Sequence, residues 1–272
     1  MTGSSLARVG RAFHRGAPQY DLHTPVQQRV VRRLLELTCR LLGKGGAQQV
    51  LDIGCGTGQL LTALADCLPQ AALTGLDLAP DMLRLAGERL SNRATLIQGD
   101  AERLPFAAAR FDLVLSSSTF QWLERCDLCF SEAHRVLQQG GTFCFALFGD
   151  GTLAELHSSW QEALRRCGRS LPPGRDGTHR FHDAATIRHA LVSQGFQQVM
   201  VTREREEVWY PDLPRMLQAI KRIGAGTARP PAGGGLGWRQ TLHEMAAIYE
   251  ERFGAERGVP AGYQVIYGAG RR

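Results

Sequence analysis

The stretch Val50-Leu51-Asp52-Ile53-Gly54-Cys55-Gly56-Thr57-Gly58, VLDIGCGTG, decides the fold. An apolar run ends on an acid and then on three glycines, each separated by one residue. The run reads as a buried strand over 48–54, and the glycines as a tight turn. A helix follows in QLLTALADCL (59–68), where apolar residues recur at helical spacing. The same alternation continues outward from this unit. AALTGLD (71–77) is a second strand ending in an acid. APDMLRLAGERL (79–90) is a helix with Pro80 early, where a missing N–H costs nothing. ATLIQGD (94–100) is a third strand, again ending in an acid, and FDLVLSSS (111–118) is a fourth. CDLCFSEAHRVLQ (126–138) is a helix that Gly140-Gly141 is expected to end, and GTFCFALFG (141–149) is a fifth strand. Continuous apolar strands alternating with helices predict an α/β fold, its parallel sheet covered on both faces.

After residue 150 the pattern changes. Helices are predicted over 153–167, 183–195, 212–224 and 239–253, a long strand over 196–210, and a closing strand over 263–270. Five parallel strands finished by two later ones, with helices inserted between them, account for the whole chain. GAGTARPPAGGGLG (224–237) is rich in Gly and Pro and reads as a loop.

Composition narrows the function. A length of 272 residues suits one domain with an insertion, and 43% apolar with 21% charged residues is ordinary for a globular protein. No apolar run approaches the ~18 residues of a membrane span, and MTGSSLARVGRAFHRG lacks the apolar core of a secretion signal. Seven cysteines at irregular spacing suit free thiols in a reducing compartment, so a cytoplasmic location is expected. Cys126 and Cys129 form a CxxC with no second pair, inside a helix, and read as packing. No metal site is expected; His157 has no second ligand three or four residues on. A net charge of +6 favours an acidic partner without choosing one. A nucleic-acid module would interleave basic and aromatic residues on one face, which the sequence does not do, so no nucleic-acid or membrane partner is expected.

What the glycine loop holds follows from its spacing. A dinucleotide fingerprint, G-x-G-x-x-G, would need glycine at 59, where Gln59 stands. The loop still admits close backbone approach. Asp52 places an acid beside it, which repels a pyrophosphate and attracts an ammonium or sulfonium group.

The motif VLDIGCGTG resembles motif I of the class I S-adenosylmethionine-dependent methyltransferases, and further motifs of that family follow in order. Asp77 in GLDLAP ends the second strand, where a carboxylate can take both ribose hydroxyls. QGDAERLPF (98–106) resembles the third-strand motif, and FDLVLSSSTFQWL and EAHRVLQQGG resemble motifs IV and V. The resemblance implies a Rossmann-like fold with a seven-stranded, mostly parallel sheet, helices on both faces and an inserted helical lid. It implies S-adenosyl-L-methionine as cofactor, held by Asp52, Gly54, Gly56, Gly58, Asp77, Leu78, Met82, Asp100, Ala101, Glu102 and Ser116. Met82 is expected against the adenine, Asp100 near its amine, and the Ala101 backbone as a donor to it.

The outer segments resemble a narrower family, the malonyl-acyl-carrier-protein O-methyltransferases of biotin synthesis. The likeness lies in ARVGRAFHRGAPQYDLHTPVQQRVVRRLL (7–35), STFQWL (118–123), FALFGDGTLAELHSSW (145–160), RFHD (180–183), LQAIKRIGA (217–225) and GYQVIYGAG (262–270). The stretch 226–237 departs from it in its glycine and proline content. The resemblance implies methylation of the free carboxylate of a malonyl thioester, on acyl carrier protein or coenzyme A. Tyr20, Gln121, His157, Arg180 and Lys221 are the expected catalytic group, with Arg180 or Lys221 on the malonyl group and Tyr20 closing over the cofactor. It implies one methyltransferase domain over 1–272: a helical segment 1–47 over the site, a cofactor core 48–150, and insertions 151–195 and 211–260 forming a lid. The acidic carrier protein, bearing malonyl-phosphopantetheine, is the expected partner, met by Arg29, Arg32, Arg33, Arg215, Lys221 and Arg222. The alternatives are another small-molecule methyltransferase, such as one acting on a quinone ring carbon, and a cofactor-binding protein without catalysis.

Overall fold

The computed structural model describes residues 24–43, 46–123, 125–170, 181–222 and 236–272. The chain divides into two compact units. The first comprises the chain up to Gly149 with His182–Glu204 and Val265–Arg272; the second comprises Asp150–Phe181 and Arg205–Gln264.

In chain order the elements are α1 (Pro25–Leu42), β1 (Gln49–Ile53), α2 (Gln59–Cys67), β2 (Ala72–Asp77), α3 (Pro80–Leu90), β3 (Ala94–Gln98) and β4 (Phe111–Ser117). There follow a 3-10 turn (Phe120–Trp122), α4 (Cys126–Val136), β5 (Leu137–Phe148), α5 (Ala154–Arg166), α6 (Ala184–Ser193), β6 (Gln197–Tyr210), α7 (Leu213–Arg222), α8 (Leu236–Phe253) and β7 (Val259–Arg271). The strands form one seven-stranded sheet in the order β3-β2-β1-β4-β5-β7-β6. β1 pairs in parallel with β2 and β4, β2 with β3, and β4 with β5, whereas β7 runs antiparallel to β5. The mostly parallel seven-stranded sheet expected from the sequence is therefore present. The order reverses direction between β1 and β4, and ligands bind at such a switch point in open α/β sheets.

Local chemistry explains the elements. Pro25 and Pro80 sit in the first turns of α1 and α3, where their fixed φ suits the helix start. Asp183 caps α6 by accepting the Thr186 N–H at 2.8 Å. Leu51, Ile53, Leu113, Val114 and Leu115 are all fully buried, as strands covered on both faces require. Under α4 and β5 lies a phenylalanine pile: Phe130 and Phe143 meet edge to face at 5.7 Å, and Phe143 stacks on Phe196 at 5.4 Å. Such pairs add ~0.5–1.5 kcal/mol each beyond area burial. Ile187 and Leu191 of α6 belong to this core. The stretch 151–195, expected as one insertion, is thus divided: α5 lies in the second unit and α6 in the first. Arg33 of α1 forks onto Glu204 of β6 at 2.7 Å, so it is spent inside the first unit rather than free for a partner.

One boundary is corrected. Gly140 and Gly141 do not follow the helix; they lie within β5, which begins at Leu137, directly after α4. The pairing with β4 shifts between Phe111–Leu137 and Leu113–Thr142. The irregularity absorbs the extra residues, and Gly140 takes φ +76° there.

The second unit has its own packing. Trp160 of α5 stacks on Trp238 of α8 at 6.0 Å, with Arg169 over the Trp238 ring. Tyr249 is fully buried and donates to the Pro260 carbonyl at 2.6 Å. Among the described residues no helix is long and apolar enough to cross a membrane.

Candidate functional site

A cavity of about 1040 Å³, counting its open mouth, lies in the first unit at the carboxyl ends of β1, β2 and β4. Asp52, Gly54, Gly56, Asp77, Leu78, Met82, Asp100 and Ala101, eight of the expected cofactor-binding residues, line it together. The wall also includes Trp122, which lies in one of the motifs, and residues that motif reading missed: Gln27 and Val31 of α1, Ser117 at the end of β4, and Ser118 and Thr119 just after it.

Two glycines shape the floor. Gly54 has φ +72°, and a Cβ there would stand 2.2 Å from Thr119 Oγ1, so the loop closes only on glycine. Gly56 has φ +54°, with nothing within 4 Å of the place a Cβ would take; the backbone is open for a ligand to approach. Asp77 ties this loop to the next helix. Its Oδ2 accepts the Gly56 N–H and its Oδ1 the Ala79 N–H, each at 2.8 Å. Burial nevertheless raises its carboxyl above the ordinary range, against those two hydrogen bonds.

Asp52 is the anomaly of the site. It is 1% exposed, and neither carboxylate oxygen has a hydrogen-bond partner. Burial, and then the neighbouring Asp77 charge, push its carboxyl up to about 8. A buried acid without a donor is costly, so such a group points to a ligand that supplies positive charge.

The third-strand motif is held from behind. Arg135 donates to the carbonyls of Phe106 at 2.8 Å and Leu104 at 3.0 Å, and Glu132, paired with Arg135, accepts the Leu104 N–H at 2.7 Å. This clamp fixes the loop that carries Asp100 and Ala101. Asp100 also accepts the Glu102 N–H at 2.9 Å.

Four sequence-predicted residues stand elsewhere. Ser116 is fully buried and donates to the Ile53 carbonyl at 2.8 Å; it joins β4 to β1, and Ser117 and Ser118 line the cavity in its place. Gly58 begins α2 and faces Ala86 and Leu90 of α3. Glu102 is not part of the cavity wall. Gln121 is 3% exposed and lies behind the wall, its Nε2 donating to the Ser118 carbonyl at 2.7 Å. Ser116→Ala should therefore cost about 1 kcal/mol of stability and leave ligand affinity unchanged, which a denaturation curve and a calorimetric titration check together.

Of the remaining catalytic candidates, Tyr20 and Arg180 lie outside the described residues. His157 and Lys221 belong to the second unit: His157 meets Gln161 at 2.7 Å, and Lys221 is exposed on α7. Cys126 and Cys129 are buried in the core, and burial raises both thiols. No group of three potential metal ligands occurs among the described residues.

Residues 51–145 fit the family model described as a methyltransferase domain. In overall fold the chain resembles the YcgJ protein of Bacillus subtilis, with a TM-score of 0.59 at 20% identity over 89% of this chain and 98% of that one. It also resembles phosphoethanolamine N-methyltransferase 2 of Haemonchus contortus in complex with S-adenosyl-L-methionine, with a TM-score of 0.53 at 21% identity over 89% and 52% of the two chains. In sequence it is 47% identical over 268 residues to the malonyl-acyl-carrier-protein O-methyltransferase of Geobacter sulfurreducens, spanning 97% of this chain and 98% of that one. With nearly half of its residues shared along the full length of that relative, the chain belongs to the malonyl-acyl-carrier-protein O-methyltransferase family.

Proposed function

We propose that the protein methylates the free carboxylate of malonyl-acyl-carrier protein, with S-adenosyl-L-methionine as the methyl donor. The observation that carries this reading is Asp52, a buried carboxylate with no partner, facing a cavity floored by open glycine backbone. A pyrophosphate would be repelled there. A ligand bearing ammonium and sulfonium groups supplies the missing charge.

The chain's residues fit such a ligand. Gly54 and Gly56 admit close approach, Asp77 keeps lone pairs for ribose hydroxyls, Leu78 and Met82 offer apolar surface to a base, and Asp100 and the Ala101 N–H suit its amine and ring nitrogen. Bound S-adenosylmethionine supplies an electrophilic methyl on a sulfur cation. A carboxylate is already ionised at neutral pH, so the site needs no general base. Its oxygen lone pair forms the new O–C bond while the C–S bond breaks with its pair on sulfur, and no proton moves. The protein's contribution is alignment and the removal of water from the nucleophile. Tyr20 closing over the donor, and Arg180 or Lys221 meeting the malonyl group, belong to the same reading. The carrier protein is named from the family and suits a chain of net charge +6.

The test is direct. Incubation with methyl-labelled S-adenosylmethionine and malonyl-acyl-carrier protein yields a base-labile methyl ester, and acetyl-acyl-carrier protein yields none. Equal labelling of an acceptor without a free carboxylate overturns the reading and favours a ring-carbon methyltransferase.

A further inference from the structure

We infer that Ser117 and Ser118, at the tip of β4, are the hydrogen-bond donors that hold the acceptor carboxylate, a step that rests on the carboxyl methylation proposed above. Both line the cavity, and both Oγ atoms are buried without a hydrogen-bond partner. The neighbouring hydroxyls are already committed. Ser116 donates to Ile53, and Thr119 lies 3.2 Å from the carbonyls of both Gly54 and Ser117. Two hydroxyls without a partner therefore belong to adjacent residues of the wall at one edge of the cavity.

Ser118 is held there deliberately. Its φ is +56°, a left-handed conformation that costs any residue other than glycine. Such strain persists only where the surroundings over-determine it. Here the Ser118 N–H donates to the Ala146 carbonyl at 2.8 Å, and the Ser118 carbonyl accepts from Gln121 Nε2 at 2.7 Å. Both sides of the residue are clamped, so the backbone sets the direction of its Cα–Cβ bond. Gln121 is thus a positioning residue that acts through Ser118.

The sheet order says which ligand these hydroxyls serve. Along β3-β2-β1-β4 the cavity presents Asp100, Asp77, Asp52 and then the two serines. A donor with its sugar over Asp77 and its base toward Asp100 turns its reactive end to β1 and β4. The acceptor arriving there is an anion, and every charged side chain among the described cavity residues is an aspartate; none is Lys, Arg or His. Among the described cavity residues, neutral hydroxyls are the donors available. They orient a carboxylate by hydrogen bonds and leave it the charge that makes it a nucleophile.

The experiment uses full-length protein, with kinetics against malonyl-acyl-carrier protein and calorimetry against S-adenosylmethionine. Ser117→Ala and Ser118→Ala each lower kcat/KM for the malonyl acceptor by about tenfold or more, as loss of a hydrogen bond to a charged group does, while affinity for S-adenosylmethionine stays within about twofold. Ser117→Thr keeps the hydroxyl on a strand that favours β-branched residues and recovers most of the loss. Ser118→Gly relieves the left-handed strain but lacks the hydroxyl. It should be as poor as Ser118→Ala in turnover and more stable in denaturant. Recovery of turnover by glycine would assign Ser118 to loop geometry alone and overturn the inference. So would equal losses of donor affinity and turnover, which would assign the hydroxyls to the donor. If the parent enzyme itself leaves malonyl-acyl-carrier protein unmethylated, the carboxyl reading fails instead, and the two failures are told apart.

Discussion

Asp77→Ala binds S-adenosylmethionine about a hundredfold more weakly than the parent, because one carboxylate does two jobs. In the proposed binding mode it presents lone pairs to the ribose from the tip of β2, and losing hydrogen bonds to a charged group costs ~1.5–3 kcal/mol. It also accepts the Gly56 and Ala79 N–H groups, and so ties the glycine loop to the first turn of α3. Without it those amides lose their acceptor, and the backbone that the donor must approach is no longer held. A further loss of about 1 kcal/mol brings the total near hundredfold. Asp77→Asn recovers only part of it. One end of the amide turns an NH2 toward either Gly56 N–H or Ala79 N–H, donor against donor, in a site where both are 2.8 Å away. Calorimetric titration of the three proteins measures this; unchanged affinity in Asp77→Ala would remove the residue from the site.

Local pattern carried much of this site, and the places where it failed share a cause. Asp52, Asp77 and the glycines follow strands whose apolar runs and sharp ends are written in consecutive residues. Asp100 and Ala101 follow a third strand of the same kind. Ser116 shows the limit: consecutive strand residues face opposite sides, and Ser116-Ser117-Ser118 contains no change of polarity to say which faces the cavity. A shift of one residue exchanges a hydroxyl that bonds Ile53 for one that lines the wall. Gln121, expected in the catalytic group, is buried with its Nε2 on the Ser118 carbonyl, a contact that no local pattern signals. The β5 boundary was misplaced because it depends on pairing with β4, a long-range irregularity that two glycines alone do not locate. The Glu132–Arg135 clamp on Leu104 and Phe106 joins a helix face to a loop more than twenty residues earlier, and no local rule signals it.

The contribution of Asp52 to the stability of the ligand-free protein falls as pH rises from about 4 toward 8, and Asp52→Asn removes that contribution. An Asp in the unfolded chain titrates near ~4, whereas burial and the Asp77 charge push folded Asp52 to about 8. Between those values the folded state keeps a proton that the unfolded chain has released. Each pH unit in the window then costs the folded state about 1.4 kcal/mol, or roughly 4 kcal/mol by pH 7. Below the window both states hold the proton; above it neither does, and the penalty is complete. Acids that the fold holds below their ordinary range, Asp127 beside Arg125 and Glu132 beside Arg135, titrate below this window with the opposite sign. Denaturant melts of parent and Asp52→Asn at pH 5, 6 and 7 therefore diverge, and parallel curves would deny Asp52 its raised carboxyl. The donor's positive charge favours the ionised form, so its binding at pH 7 releases close to one proton from the parent and none from Asp52→Asn. Titrations in buffers of different ionisation enthalpy read that number. The variant is then the more stable protein and the weaker binder, because the acid that burdens the empty fold is the one whose charge the ligand compensates.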